Sequence, residues 1–202
     1  MQIDVATADV VAIYHLIVGL VVPRPIAWVT SIDADGRVNL APFSFFNAFG
    51  ANPPVVVFSP TRRRDGSRKD TLNNVEATGE FVINVATERH AEPMNRSSAE
   101  LPPDESEVDL TGLALADSTL VRPPRLAEAP AALECRVIHL LPIGDGPIAA
   151  TLVVGQVVAI HVDEAVLDPS GRVDPRKLRA IARLGGDYYC RSTDLFELPR
   201  PR

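Results

Sequence analysis

Apolar and polar positions along this chain fall mostly into short runs, and the runs read as strands. Stretches rich in β-branched and aromatic residues at 25–32, 37–41, 55–59, 81–86, 132–141 and 149–162 are bounded by Gly, Pro, Asp or Asn, the punctuation expected at strand ends. Asp33-Ala-Asp-Gly36 closes the first two into a hairpin, and Pro142-Ile-Gly-Asp-Gly-Pro147 closes the last two. The run at 55–59 is apolar without alternation, which predicts burial on both faces. Pro42 has no N–H to offer a ladder, so the second strand is expected to end before it. Gly155 interrupts the longest run and marks either a bulge or a close approach of another group to the backbone.

Helical periodicity is sparser. Asp9 can cap a short helix or precede a strand over 10–20 that covers one end of the core. Ser67 offers an N-cap to a helix over 67–77, with Leu72 and Val75 three apart on one face and Gly79 as its stop. A further helix is predicted over 88–98, with Met94 reaching the core. Asp174-Pro175 starts another that runs to about Arg183, before Gly185-Gly186. The acidic, proline-broken stretch 100–125 predicts a long irregular excursion with at most a short strand or turn at 113–116. A hairpin is expected at Pro169-Ser-Gly171 and a short terminal strand in 195–202. Six strands with so few helices between them make a mainly β core rather than a doubly wound sheet. At 202 residues the chain suits one domain, with a core of about 20–190 and an extension at each end.

Composition narrows the function classes. The formal charge of −6 argues against nucleic-acid binding, which needs a basic face. The segment 62–69 runs the other way, with five basic residues and one Asp, and a local positive patch on an acidic chain suits a single phosphate group. Cys135 and Cys190 have no CxxC spacing, so they are expected to be reduced thiols in a cytoplasmic protein. The apolar run 10–22 contains His15 and falls short of the ~20 residues of a spanning helix. It also lacks the basic start of a signal peptide, and no membrane role is expected. His15, His90, His139 and His161 are scattered without ligand spacing, so no metal site is expected. Nucleophile-elbow, dinucleotide-binding and P-loop motifs are absent.

Two stretches carry candidate chemistry. In Asn39-Leu-Ala-Pro-Phe-Ser-Phe-Phe-Asn47, the polar Ser44 and Asn47 sit among Phe43, Phe45, Phe46 and Phe49, four of the seven phenylalanines. That mixture suits a flat heterocycle, apolar on its faces and hydrogen-bonding at its edge; a buried strand followed by a capped loop would look the same. In Thr61-Arg-Arg-Arg-Asp-Gly-Ser-Arg-Lys-Asp-Thr71, a glycine loop at a helix start would aim N–H groups and positive charge at an anion. A solvated basic loop is the alternative.

Taken in order, Pro23-Arg-Pro-Ile-Ala-Trp-Val-Thr-Ser31, Asn39-Leu-Ala-Pro-Phe-Ser44, Pro53-Pro54, Lys69-Asp-Thr71 and Gly79-Glu-Phe-Val-Ile-Asn84 resemble the successive signatures of the flavin reductase-like, FMN-binding split-barrel proteins. The resemblance runs from about Pro23 to Tyr189. It implies a six-stranded split β-barrel of Greek-key type that binds FMN at a homodimer interface. It implies NADH or NADPH as hydride donor and, in some members, a monooxygenase component as partner. Carried onto matching positions, Lys69, Asp70 and Thr71 belong to the phosphate side, helped by Ser59 and Arg64. Thr30, Ser31, Phe43, Ser44 and Asn47 would line the ring and ribityl chain, with Arg24 beside the ring or at the dimer contact. Arg183, in Arg183-Leu-Gly-Gly-Asp-Tyr-Tyr189, stands where many reductases have His, near the flavin and the nicotinamide entry. No catalytic acid or nucleophile is expected from the chain itself, because FMN carries the redox chemistry. A flavoredoxin-like electron carrier, a non-catalytic flavin-binding protein and a related barrel holding haem are the other readings.

Overall fold

The computed structural model describes residues 1–102 and 105–201. Helix α1 (Val10–Leu20) leads into strands β1 (Arg24–Pro25), β2 (Ala27–Ile32), β3 (Val38–Phe43), β4 (Phe46–Ala51) and β5 (Pro54–Phe58). Helix α2 (Asp70–Thr78), strand β6 (Glu80–Val85), and helices α3 (Ala91–Arg96) and α4 (Glu107–Thr111) follow. The two-residue strands β7 (Leu115–Ala116) and β8 (Arg125–Leu126) precede the long hairpin of β9 (Ala131–Ile143) and β10 (Ala150–Val162). Helix α5 (Pro175–Leu178) and strands β11 (Ile181–Arg183) and β12 (Tyr189–Arg191) complete the chain.

The main sheet has seven strands, not the six expected, in the order β3-β2-β6-β9-β10-β5-β4. The extra strand is β4, in a stretch that the sequence offered as a polar patch among phenylalanines. Strand β3 runs on through Pro42, which pairs with Trp28, instead of stopping before it. The position is tolerated because β3 is an edge strand and a missing N–H on its outer side breaks no ladder. Asp33 fixes the β2–β3 turn as read, its carboxylate accepting the N–H groups of Asp35 and Arg37, both at 2.9 Å.

Rings from opposite ends of the sheet meet. Phe43 of β3 lies 5.2 Å from Phe58 of β5, and Phe58 lies 5.1 Å from Phe81 of β6, so the sheet curls until its edges share one interior. Leu72 and Val75 of α2 close that interior, as their spacing predicted. Ile26, just before β2, and Trp28 within it build a second cluster with Met94, Val108, Leu126 and Ile181. Strand β2 is buried on both faces, as is the centre of β6, whereas β5 is only partly buried.

Gly155 satisfies both of its expectations. The register slips between Val154 and Gly155, and a Cβ at this position would lie 2.4 Å from the ring of Phe81. Phe81 is fully buried in the stacked rings and has no room to retreat. Gly155→Ala is therefore expected to cost about 1–3 kcal/mol, the range for overpacking a core. Urea denaturation reads this directly, and an unchanged midpoint would mean that the Phe81 ring yields freely.

Two expectations fail near the C-terminus. The helix from Pro175 ends at Leu178, because Arg179 turns into the left-handed region at φ 51° and Ala180 bridges to Thr87. Residues 181–183, expected in that helix, become β11, which pairs with β1 and β12 in a three-stranded sheet. Ile181 is drawn into the second cluster, and that burial outweighs local helix preference. No strand forms over the described residues 192–201. The 100–125 excursion has β7 where a short strand was allowed, and also the unforeseen α4, capped by Ser106 and ended by Gly112. Among the described residues no helix is long and apolar enough to cross a membrane.

Candidate functional site

The loop after β5 is pinned at both ends. The Ser59 N–H bonds the Phe45 carbonyl at 2.9 Å and the Arg62 N–H bonds the Ala149 carbonyl at 2.8 Å. Inside it, Asp65 accepts the Ser67 N–H at 2.8 Å. Ser67 is therefore held in the loop and does not cap α2; the N-cap is Lys69, and among the described residues no side chain caps the helix start. The expected cap was two residues early, and the correction leaves the helix end freer to meet an anion.

Arg62, Arg63, Arg64 and Lys69 line a cleft of about 220 Å³ together with Tyr14 and His15 of α1. Arg63 is already engaged, at 3.0 Å from Asp70 and 3.8 Å from Glu100. No carboxylate lies within ion-pair distance of Arg64 or Lys69 among the described residues. Burial, and then the charge of Arg63, push the Lys69 ammonium below its ordinary value, while Glu100, Asp70 and Glu107 pull the other way. A bound dianion would relieve that strain on the charged amine.

Thr71 is buried, and its hydroxyl oxygen accepts from Asn39 Nδ2 at 2.8 Å, which leaves its own proton to give. Lys69, Asp70 and Thr71 line a narrow gap of about 50 Å³ with Pro42, Ser98 and Glu107. Glu107 is buried, accepts the Leu40 N–H at 3.0 Å, and has its carboxyl raised mainly by desolvation. Nearby in the chain, the Ser59 hydroxyl is buried without a hydrogen-bond partner among the described residues.

A third hollow, of about 430 Å³, brings Tyr14, Arg24, Ser44, Arg183 and Tyr189 together. Arg24 is buried and holds the place: Nε donates to Ser44 Oγ at 3.3 Å, Nη1 to the Val21 carbonyl at 2.9 Å and Nη2 to the Leu184 carbonyl at 2.9 Å. It also donates to the Val18 carbonyl, so its charge sits at the C-terminal end of α1, where the helix dipole favours a cation. Arg183 stacks 4.5 Å over the Tyr189 ring and donates to the Tyr189 hydroxyl and the Gly186 carbonyl.

The three hollows run into one another. Arg63, Lys69 and Glu100 are common to the first two, Pro42 and Ser98 to the second and third, and Tyr14 and His15 to the first and third. One channel thus leads from a basic end at 61–71 to a mixed end at Ser44 and Arg183.

Of the residues singled out from the sequence, Arg24, Ser44, Arg64, Lys69, Asp70, Thr71 and Arg183 line this channel. Ser59 leads into its basic loop. Four others are placed elsewhere. Thr30 donates to the Pro124 carbonyl at 2.5 Å, Ser31 accepts from Asn74 Nδ2 at 3.1 Å, and both are fully buried. Phe43 belongs to the stacked interior. Asn47 lies on the exposed edge strand β4 and bonds its neighbour's N–H at 2.8 Å. Residues at the end of an apolar run look alike whether they face a ligand or the core, and only the sheet's pleat separates them. Sequence reasoning missed Tyr14, His15, Asn39, Ser98 and Glu107; two polar rings on an otherwise apolar helix were the available signal. No cluster of metal-ligating residues occurs among the described residues.

A curled sheet with a basic helix-start loop feeding a channel beside it is a barrel of the split type. Residues 19–181 match the flavin reductase like domain, and the chain belongs to that family. An uncharacterized protein of Halalkalibacterium halodurans is 43% identical over 190 residues, 93% of this chain and 90% of that one. Nitrilotriacetate monooxygenase component B from Bacillus cereus superposes with a TM-score of 0.92 at 37% identity, over 98% of each chain. Pseudomonas fluorescens 2-nitrobenzoate 2-nitroreductase does so with a TM-score of 0.88 at 35% identity, over all of this chain and 96% of that one.

Proposed function

We propose that this protein binds FMN in the channel and acts as an NAD(P)H-dependent flavin reductase, the reductase component of a two-component monooxygenase. The observation that carries the proposal is the channel's polarity. One end has Lys69, Arg64 and the uncapped start of α2, all wanting an anion, and the other has hydrogen-bonding groups around an opening lined by Tyr14 and Tyr189. The unpartnered Ser59 hydroxyl and the free proton of Thr71 are donors of the kind a phosphate satisfies. Bound FMN would supply the two-electron redox chemistry that no side chain here offers. Lys69 and Thr71 would hold its phosphate, Ser44 would meet the ring edge in a position fixed by Arg24, and Arg183 on Tyr189 would flank the approach of the nicotinamide. The similarity to a monooxygenase component B supports the reductase role.

A second copy of the chain is the expected cover for the open side. Helix α1 forms one wall of the channel yet leaves Val10, Val11, Ile17 and Leu20 exposed, and Phe49 on the edge strand β4 is 68% exposed. Apolar surface of that extent beside a ligand channel marks an interface. Light scattering at micromolar concentration with FMN bound should give a homodimer; a monomer would remove the cover.

The similarity to a nitroreductase favours one other reading, in which flavin stays bound and the nitro group of a small aromatic acid is the acceptor. Absorption spectra with FMN, followed by NADH and NADPH oxidation with FMN alone or with 2-nitrobenzoate, separate the two. Turnover that rises with free FMN supports the reductase. Turnover only with the nitroarene supports the second reading, and failure to bind FMN at all sinks both.

A further inference from the structure

A cleft of about 960 Å³ shares no lining residue with the flavin channel. It is bordered by β8, by Pro130 just before β9 and Val162 at the end of β10, and by α5. Its lining is half apolar, from residues such as Pro130, Ile160, Val162 and Leu178, and its charge comes from Arg89, Arg125, Lys177 and Arg179 against Glu128 and Asp163.

The partners of these cations decide what the cleft can do. Arg179 is spent on Glu88. Among the described residues no carboxylate lies within ion-pair distance of the other three, and Lys177 is under the longer-range attraction of Asp168. Arg89 donates to His90 Nε2 at 3.1 Å and to the Glu128 carbonyl at 3.3 Å, and Lys177 donates to the Leu167 carbonyl. The Nε of Arg125 is buried and has no acceptor among the described residues. Asp163 is occupied in capping the Ala165 N–H at 2.9 Å. Beside them His161 is held at the cleft by Nε2, which donates to the fully buried Glu134 at 2.5 Å. Asp and Glu outnumber Lys and Arg by 26 to 20 in this chain, so three cations around one cleft with no carboxylate in ion-pair distance among the described residues are not short of partners by composition. Buried donors are normally paired, and the exception at Arg125 Nε, which shares the cleft with Arg89 and Lys177, calls for a bound water, ion or ligand.

We infer that this cleft is a second ligand site, for a small organic oxyanion: a phosphate ester or polycarboxylate whose charge meets Arg89, Arg125 and Lys177 and whose body packs on the apolar lining. The volume lies at the upper end of the ~300–1,000 Å³ typical of small-molecule pockets. The site is separate from the flavin channel and does not depend on the reaction proposed for it.

Calorimetric titration of the FMN-saturated protein at low salt tests the inference, with ADP, citrate and inorganic phosphate as probes. Saturable binding of one ADP or one citrate per chain is expected, and the better of the two names the ligand class. Inorganic phosphate should bind more weakly, since the apolar lining contributes nothing to it. Lys177→Gln and Arg125→Gln should each weaken the bound probe about tenfold or more, a change of about 1.4 kcal/mol, while FMN affinity stays as in the parent. Lys177 is exposed, so its variant keeps the test decisive even if Arg125→Gln does not fold. Absence of saturable binding by all three probes overturns the inference. So does binding that both folded variants leave unchanged, or phosphate binding as tight as ADP and citrate.

Discussion

Lys69→Ala is expected to weaken FMN binding by about ten- to a hundredfold while leaving riboflavin binding almost unchanged. In the proposed binding mode the substitution would delete one charge-assisted hydrogen bond to the phosphate, of the kind worth roughly 1.5–3 kcal/mol, and each 1.4 kcal/mol is about a factor of ten. Lys69 suits the role because no carboxylate among the described residues pairs with it directly, and the pull of Glu100, Asp70 and Glu107 only partly offsets its burial. Arg63 repels it and is itself paired to Asp70, and burial adds to the cost of the free charge. Riboflavin lacks the phosphate, so it reports the ring pocket alone. Fluorescence-quenching titrations with both ligands make the comparison. An equal loss for the two would show that the variant disturbs the ring pocket or the fold, and no loss for either would move the phosphate to Arg62–Arg64. Thr71→Val should act in the same direction but more weakly. Thr71 is buried against Asn39, so its variant needs its own stability control.

The largest effect on stability is expected at Glu134, far from that loop. Its carboxylate is fully buried and accepts the N–H groups of Thr119 and Leu120, each at 2.6 Å, besides His161. These bonds fasten the 117–124 segment onto the sheet. Glu134→Ala leaves two backbone donors and one imidazole without their acceptor, and a buried donor left unsatisfied costs about 1–3 kcal/mol. A total of roughly 3–5 kcal/mol is expected. At about 2–4 °C per kcal/mol for a chain of this size, Tm should fall by about 6–20 °C.

The pH dependence gives an independent check. Burial by itself would raise this carboxyl, but the three hydrogen bonds outweigh it and hold the group below its ordinary value of 4.5. A carboxyl lowered in the folded state lends stability that is complete above the unfolded pKa and disappears as pH falls through the folded one. The Tm difference between parent and Glu134→Ala should therefore be constant from neutrality down to about pH 4.5 and shrink below it. A difference that stays constant in stronger acid would assign the effect to lost packing.

Much of this architecture was legible in the chain because it depends on neighbours in sequence. The Asp33–Gly36 and Pro142–Pro147 turns, the αL stop at Gly79 and the Leu72/Val75 face of α2 each follow from a few adjacent residues. The basic loop from Arg62 to Lys69 was likewise visible as a charge reversal in an acidic chain, and the ordered blocks pointed to the family that the comparison bore out.

What the sequence by itself determined was therefore the mainly β class, the position of the turns and the end of the channel that carries positive charge. Tertiary structure alone decided the rest. It made β4 a seventh strand and carried β3 through Pro42, because an edge position removes the need for one row of hydrogen bonds. It converted 181–183 from helix to strand, since Ile181 gains more from burial beside Trp28 and Met94 than from helix propensity. It also turned Thr30, Ser31 and Phe43 away from the channel and brought in Tyr14 and Asn39. Which face of a pleated strand meets the core is fixed by the closure of the whole sheet, and that closure depends on contacts between residues far apart in the chain, such as Phe43 with Phe58 and Phe81 with Gly155.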